Sequence, residues 1–195
     1  MNRKGLIGLL LLLALALTPA LAKAEVEHFV IDTKKAHAFI EFKVSHLGFS
    51  WVLGRFNDFQ GDFTVDVDNP ENSTVSVSIN TASVDTNYAE RDKHLRGDDF
   101  LDVKKYPKAS FVSTGIKRTG EETALITGDF TLHGVTKSIA IKAHHIGSGK
   151  DPWGGYRRGF EGSIKFALKD YNIKKDLGPF SKEVEIFLSI EGIRK

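Results

Sequence analysis

From residue 27 onward, apolar and polar side chains alternate along most of the chain with a period of two. This period is typical of β-strands that bury one face, because successive side chains of a strand point to opposite faces. The pattern predicts eight strands, of which the one at 111–117 alternates most weakly. The seven clearer strands are 38–44, 59–67, 75–79, 126–132, 139–143, 160–168 and 184–190.

The connections between these strands are short and rich in turn-forming residues, as in the segment 68–70. Eight short strands with one apolar face predict an all-β domain, either an antiparallel barrel or a sandwich. The segment 88–96 departs from this pattern because it is rich in helix formers. We therefore predict a short helix that lies across one end of the sheet and is capped by residues 85–87.

The interior of such a barrel has two interpretations. Gly61, Gly128 and Gly162 occupy inward positions inside strands, where small residues leave space or allow sharp bends. The Phe residues beside them would then line a slot. Alternatively, the same Phe residues pack a solid core, and the pattern alone favours this second interpretation because buried aromatic residues are usually core.

The first 24 residues have the composition of an export signal. A positive start at residues 3–4 precedes an apolar stretch of 13 residues at 5–17, and the small-x-small pattern at 22–24 suits cleavage. The apolar stretch is shorter than the roughly 20 residues that a membrane-spanning helix needs. We expect residues 1–24 to be a cleaved signal peptide and 25–195 to be one domain that works in the periplasm.

Composition excludes several classes of function. The chain has no Cys, which excludes disulfides, thiolate metal sites and Cys nucleophiles. Without residues 1–24 the net charge falls from +2 to −1, because Arg3, Lys4 and Lys23 are lost. This near-neutral balance argues against nucleic acid as a partner.

No arrangement of residues predicts catalysis or metal binding. The chain has no Gly-x-Ser-x-Gly elbow, no phosphate-binding Walker loop and no His-Glu-x-x-His zinc helix. His144 and His145 are adjacent on a predicted strand, so their rings point to opposite faces and do not share a metal. We therefore expect no catalytic residues, no metal and no cofactor, and we do not expect an enzyme.

Taken together, several motifs give the chain a specific resemblance to the YceI-like proteins, which are polyisoprenoid-binding proteins of the periplasm. The resemblance covers essentially the whole of 25–195, and the chain looks close to the enterobacterial members. One departure is Lys169, where the family often has Arg. The motifs are HAFIEFKVSHLG (37–48), GRFNDFQG (54–61), SVDT (83–86), RDKHL (91–95), DFLD (99–102), YP (106–107), GDFTLHGVT (128–136) and KDYNI (169–173).

This resemblance implies a lipocalin-like, extended, eight-stranded antiparallel β-barrel with an apolar interior tunnel. The tunnel would hold a long isoprenoid lipid, either of the prenyl quinone type or a prenyl phosphate. His46, Arg91 and His94 are the candidates for the mouth, near the lipid head group. The alternative is that the two His residues make only local capping or hydrogen-bond contacts and that Arg91 lies on a solvated helix face. The expected tunnel residues are Ile40, Phe42, Val44, Phe63, Val65, Phe100, Phe130, Phe160, Ile164, Phe166, Leu168, Ile186 and Leu188.

The favoured function is therefore a soluble periplasmic carrier whose partner is an isoprenoid lipid. Transient contact with a membrane and a homodimer are compatible with this function. A small outer-membrane barrel and, less favoured, a lipid-modifying enzyme remain alternatives. Single charges on the polar strand faces, such as Glu41 and Lys165, suit water better than lipid.

Overall fold

The computed structural model describes residues 26–35 and 37–195, so the predicted signal peptide lies outside the described residues. Within them are eleven β-strands, one α-helix and three short 3-10 turns, and no helix there has the length and apolarity needed to cross a bilayer. The helix, α1, spans Ala89–Leu95. The strands are β1 (Glu27–Ile31), β2 (Phe39–His46), β3 (Ser50–Phe56), β4 (Phe59–Val65), β5 (Thr74–Asn80), β6 (Val84–Asp85), β7 (Lys108–Arg118), β8 (Thr123–Leu132), β9 (Val135–Lys150), β10 (Tyr156–Ala167) and β11 (Glu183–Arg194).

Eight of these strands close an antiparallel barrel. Their order is β1-β4-β5-β7-β8-β9-β10-β11, and pairing between β1 and β11 completes the circle. Strand β11 pairs with β10 along one edge and is long enough to pair with two strands along the other. Its first half, Val184 to Ser189, pairs with β2, and its end, Gly192 to Arg194, pairs with β1. Strands β2, β3 and β6 therefore extend one side of the barrel beyond the closed ring.

The predicted all-β barrel and its short helix are confirmed. The eight predicted strands are not the eight strands of the ring, because the strand predicted at 38–44 is β2, which lies outside the ring, and β1, which closes the ring, was not predicted, nor was the two-residue β6. Strand β3 was not predicted, because its outward residues Trp51 and Leu53 are apolar and exposed and so break the alternation. The expected capping of α1 by residues 85–87 is wrong. The residue before the helix is Tyr88, whose side chain makes no capping hydrogen bond.

Aromatic rings cover several inward glycines, so these positions leave less space than the sequence suggests. A Cβ atom on Gly128 would lie 2.5 Å from the ring of Phe111 on the neighbouring strand. A Cβ atom on Gly192 would similarly lie 2.4 Å from the ring of Phe63. At these two positions the missing side chain leaves the space that a Phe ring occupies.

One end of the barrel is filled by packed aromatic side chains. Phe130, Phe166 and Tyr171 form a mutual cluster with ring centroids 5.0 to 5.6 Å apart. Tyr171 is 1% exposed, and burial raises the pKa of its hydroxyl to about 12. The chain segment that includes α1 lies at this same end, because Tyr106 stacks on His133 in the β8–β9 turn. We call it the closed end.

At the opposite end, an ion-pair cluster ties the barrel together. The Arg157 guanidinium on β10 donates to Asp32 at 2.9 Å, to Asp151 at 2.7 Å and to Glu191. The side chains of Arg157, Asp32 and Asp151 are only 14%, 4% and 7% exposed. Burial by itself raises the pKa of Asp32, but hydrogen bonds from Arg157 and His37 outweigh it and lower the pKa. A hydrogen bond from Arg157 likewise lowers the pKa of Asp151.

We expect Arg157→Met to lower the free energy of unfolding at pH 7, because it leaves two nearly buried carboxylates without their cation. A carboxylate with a lowered pKa stabilises the fold above its unfolded-state value of about 3.9, and this contribution is lost as the pH falls through the folded-state pKa. The difference between wild type and variant should therefore shrink between pH 7 and pH 3 in urea unfolding. Lys165→Met, which breaks an exposed pair with Glu183, is the control and should change stability little. A pH-independent difference would show that Arg157 acts through packing alone.

Candidate apolar binding cavity

The barrel encloses an apolar cavity of about 470 Å³ between the closed end and the opposite rim. This volume lies within the range of about 300–1,000 Å³ that is common for ligand pockets. Aliphatic and aromatic side chains from nearly every strand of the ring face it, so the interior is not a solid core. Wall residues include Val77, Phe111, Ile126, Ile141 and Ile164.

The cavity exists because three small residues lie side by side on its wall. Ala124 on β8 pairs with Ala143 on β9, and Ala143 pairs with Gly162 on β10. All three line the cavity. A row of small side chains across three adjacent strands leaves a gap that the larger residues above and below it do not fill.

The cavity opens at the rim between the β4–β5 and β7–β8 connections. Its wall there includes Asp66, Val67 and Pro70 from the first connection, and Glu121 and Glu122 from the second. Val67 is 55% exposed, so the wall passes from the barrel interior to solvent at this point. We call this opening the mouth. At the other end, Phe130 belongs both to the cavity wall and to the aromatic cluster of the closed end, which forms the floor.

The structure places eight of the thirteen expected tunnel residues on the wall of this cavity. The other five, Phe42, Val44, Phe100, Phe166 and Leu168, lie outside it. All five belong to the apolar core or pack against it, and Phe42 also borders the separate groove described below. Phe100 lies between α1 and β7, and for the other four alternation predicts the inward direction but not the depth along the barrel. The eight wall residues are Ile40, Phe63, Val65, Phe130, Phe160, Ile164, Ile186 and Leu188.

The three residues expected at the mouth lie elsewhere. His46 and Arg91 border a separate, more polar groove of about 840 Å³ along the edge of β3, where charged residues such as Lys43 and Glu185 also lie. Arg91 donates two hydrogen bonds of 2.7 Å to Thr86. His94 pairs with Asp99 at 3.0 Å. These contacts give Arg91 and His94 a structural role at the start and end of α1.

Two polar residues at the mouth, His145 and Arg158, were not predicted from the sequence. His145 and Arg158 both line the cavity. The alternating pattern does place both side chains inward, since His145 continues the inward positions of β9 and Arg158 continues those of β10. From the sequence, His145 was considered only as a metal ligand, and Arg158 was not singled out. The predicted opposite orientation of His144 and His145 is confirmed, because His144 pairs with Glu161 on the outer face.

One group of potential metal ligands occurs among residues 26–35 and 37–195. Atoms of Asp32, His37 and Glu191 lie within 4.8 Å of one another. The guanidinium of Arg157 donates to both carboxylates, so a cation already neutralises this group. The cluster is explained as an ion-pair network, and no metal site is assigned to it.

A closed antiparallel barrel with an apolar cavity and a polar mouth is suited to bind an apolar ligand. A family description, the YceI-like domain, matches residues 29–192, and the chain belongs to this family. The chain is 59% identical over 186 residues to a UPF0312 protein of Ectopseudomonas mendocina (strain ymp), covering 94% of this chain and 97% of that protein.

Solved structures share the fold. The YCEI protein of Campylobacter jejuni is 30% identical, with a TM-score of 0.71 over 78% of this chain and 90% of its own. A domain from Saccharophagus degradans described as polyisoprenoid binding is 15% identical, with a TM-score of 0.64 over 86% of this chain and 98% of its own. The barrel inferred from the residues is therefore the architecture of the family.

Substitution of two Phe residues on the inward face of β10 tests which part of the barrel interior is cavity wall and which part is packed core. In lipid-free protein, Phe166→Ala should cost about 3–5 kcal/mol, because Phe166 packs against Phe130 and Tyr171 and its loss leaves a cavity. Phe160→Ala should cost clearly less, since one side of Phe160 already faces the cavity. Urea unfolding of delipidated protein measures both values. Equal losses would contradict this division of the barrel interior.

Proposed function

We propose that this chain is a soluble, non-catalytic carrier that holds a long isoprenoid lipid in its barrel and works in the periplasm. The observation that carries the proposal is the apolar cavity of about 470 Å³ with its opening at one rim. Membership of the YceI-like family supports a binding role. The Saccharophagus degradans neighbour, described as a polyisoprenoid binding domain, supports the isoprenoid class of ligand.

The energetics of an isoprenoid chain favour a carrier. Each CH₂ group removed from water stabilises by about 0.8 kcal/mol, so a chain of tens of carbons does not remain free in water. A bilayer buries the same groups almost equally well. Transfer between membrane and barrel is then close to neutral for the chain, and the protein holds its ligand reversibly.

The outer wall of the barrel supports a soluble protein. Outward residues form salt bridges across neighbouring strands, including Lys43 with Glu185 at 3.1 Å and Lys165 with Glu183 at 2.6 Å. An outer-membrane barrel needs the reverse arrangement, with apolar residues outside and polar residues inside. The observed distribution therefore favours the carrier over the outer-membrane alternative.

A filled cavity tests the proposal directly. Ala143→Phe adds a ring to the row of small residues on the cavity wall, so we expect much less isoprenoid lipid to co-purify. Ala140→Phe adds the same ring three residues earlier on β9, at an exposed position, and should retain the lipid. The lipid content of protein purified from its native host is measured by organic extraction and mass spectrometry.

The same experiment contains the result that opposes the proposal. Thermal melts of both variants would first establish that they are folded. Equal isoprenoid content in Ala143→Phe and wild type, or no isoprenoid in any of the three proteins, would exclude the cavity as an isoprenoid site.

The proposed location has a separate test. We expect osmotic shock without detergent to release the protein, and N-terminal sequencing of the released material to begin at Glu25. An intact mass that retains Met1, or a protein extracted only by detergent, would contradict export as a soluble carrier.

A further inference from the structure

Two buried polar atoms at the mouth have no partner within the described part of the chain. The atoms are Nε2 of His145 and Nε of Arg158, and both residues line the cavity. A buried donor or acceptor without a partner is costly, and native proteins seldom leave one without a reason. An unpartnered pair on the wall of a binding cavity indicates that a ligand completes it.

The strand register brings the two side chains to the same side of the mouth. His145 on β9 lies opposite Phe160 on β10, and its ring is 5.3 Å from the Phe160 ring. Arg158 is two residues from Phe160 and faces the same way. The β9–β10 register shifts by one residue between Gly159 and Phe160, and His145 and Arg158 on either side of this shift both line the cavity.

The partner of His145 determines what its free nitrogen offers. The Nδ1 atom lies 2.6 Å from a carboxylate oxygen of Glu122. A carboxylate only accepts hydrogen bonds, so Nδ1 carries the proton and donates. In the neutral imidazole, Nε2 then carries a lone pair and accepts. This carboxylate–imidazole arrangement also fixes the orientation of the ring.

Arg158 offers the complementary group. Its Nη2 atom donates to Glu27 at 3.0 Å, and Glu27 also accepts from Arg194 at 2.7 Å. The guanidinium lies over the ring of Phe29, 5.8 Å from the ring centroid. These contacts hold the side chain in place while its Nε–H remains a donor without a partner. The mouth therefore presents one acceptor and one donor.

The charges around this pair disfavour an anionic head group. Three carboxylate side chains belong to the cavity wall at the mouth, against two guanidinium groups. Arg118 already donates to the backbone oxygens of Gly120 and Glu121. A phosphate would meet the Nε2 lone pair of His145 and the nearby Glu122. The three wall carboxylates at the mouth are Asp66, Glu121 and Glu122, whereas the carboxylate of Glu161 pairs with His144 on the outer face.

We propose that His145 and Arg158 form a head-group site for the hydroxyl of an isoprenoid alcohol or phenol. The hydroxyl donates to Nε2 of His145 and accepts from Nε–H of Arg158, so both unpartnered atoms are satisfied at once. The chain of the lipid extends from this point toward the floor at Phe130. The assignment rests on the proposed isoprenoid-binding function and names the head group that the same cavity takes.

Three probes with one C15 chain test the assignment in delipidated protein. They are farnesol, farnesyl methyl ether, which lacks the donor, and farnesyl phosphate, which carries charge. Isothermal titration should show that the wild type binds farnesol about tenfold more tightly than the ether, the value of roughly one hydrogen bond. Farnesyl phosphate should bind more weakly than farnesol.

Variants then assign the preference to residues. His145→Phe and Arg158→Met keep side chains of similar size, so both should still bind farnesyl methyl ether. His145→Phe should abolish the preference for farnesol over the ether, and Arg158→Met should weaken binding of both probes, since an ether oxygen also accepts. His144→Phe changes the neighbouring histidine on the outer face and should leave the preference intact.

The possible results distinguish a failure of the hydroxyl site from a failure of the proposed isoprenoid-binding function. A preference for farnesol that survives in His145→Phe, or tighter binding of farnesyl phosphate by wild type, would overturn the hydroxyl site while leaving isoprenoid binding in place. Equal wild-type affinity for alcohol and ether overturns it as well, without depending on how any variant folds. Absence of binding to all three probes would overturn the proposed function itself.

Discussion

The pairing of the last strand with both β1 and β2 is the constraint on which the rest of the structure depends. Without the β1–β11 pairing the sheet would have two open edges, and its apolar face would be exposed to water. The closure is reinforced where the two strands meet, since the amide of Asp32 donates to the carbonyl of Glu191 at 2.8 Å. Gly192 takes part because the Phe63 ring occupies the space where its side chain would lie. Arg157 then joins both strands to the β9–β10 turn through its ion pairs.

Side-chain size along the strands divides the enclosed space into core, cavity and mouth. Strand β10 shows all three at intervals of four residues. Phe166 packs in the aromatic cluster of the closed end, Gly162 lies on the cavity wall, and Arg158 brings a charge to the mouth. Three inward residues of the same strand therefore have three different roles, and each role depends on which side chains of the neighbouring strands lie next to that residue. The cavity is a local result of Ala124, Ala143 and Gly162 lying in one row.

The sequence predicted the strands well where one face was apolar and the other polar, and poorly elsewhere. Strand β3 was missed because Trp51 and Leu53 put apolar groups on an exposed face. The sequence also did not predict how deep along the barrel axis each inward residue lies. Phe160 and Phe166 look alike in an alternating pattern, although Phe160 faces the cavity and Phe166 packs in the core. Arg91 was expected at the mouth because it lies in a basic helical segment, but it borders the separate groove, whereas His145, a single polar residue on a strand, lines the cavity. These properties depend on register between distant strands, which alternation within one strand does not encode.

The arrangement of the mouth also explains how a carrier of this type would discriminate among lipids. For the proposed isoprenoid occupant, burial of the chain contributes nearly the same free energy in the barrel as in a bilayer, so it does not select one lipid from another. Selection must come from groups that the bilayer interior lacks. His145 and Arg158 are such groups, because each is fixed by its own carboxylate partner before a ligand arrives. A fixed donor and acceptor lose little conformational entropy on binding. In the proposed carrier, the polar rim would select the head group, while the apolar wall would bury the lipid chain about as well as a bilayer does.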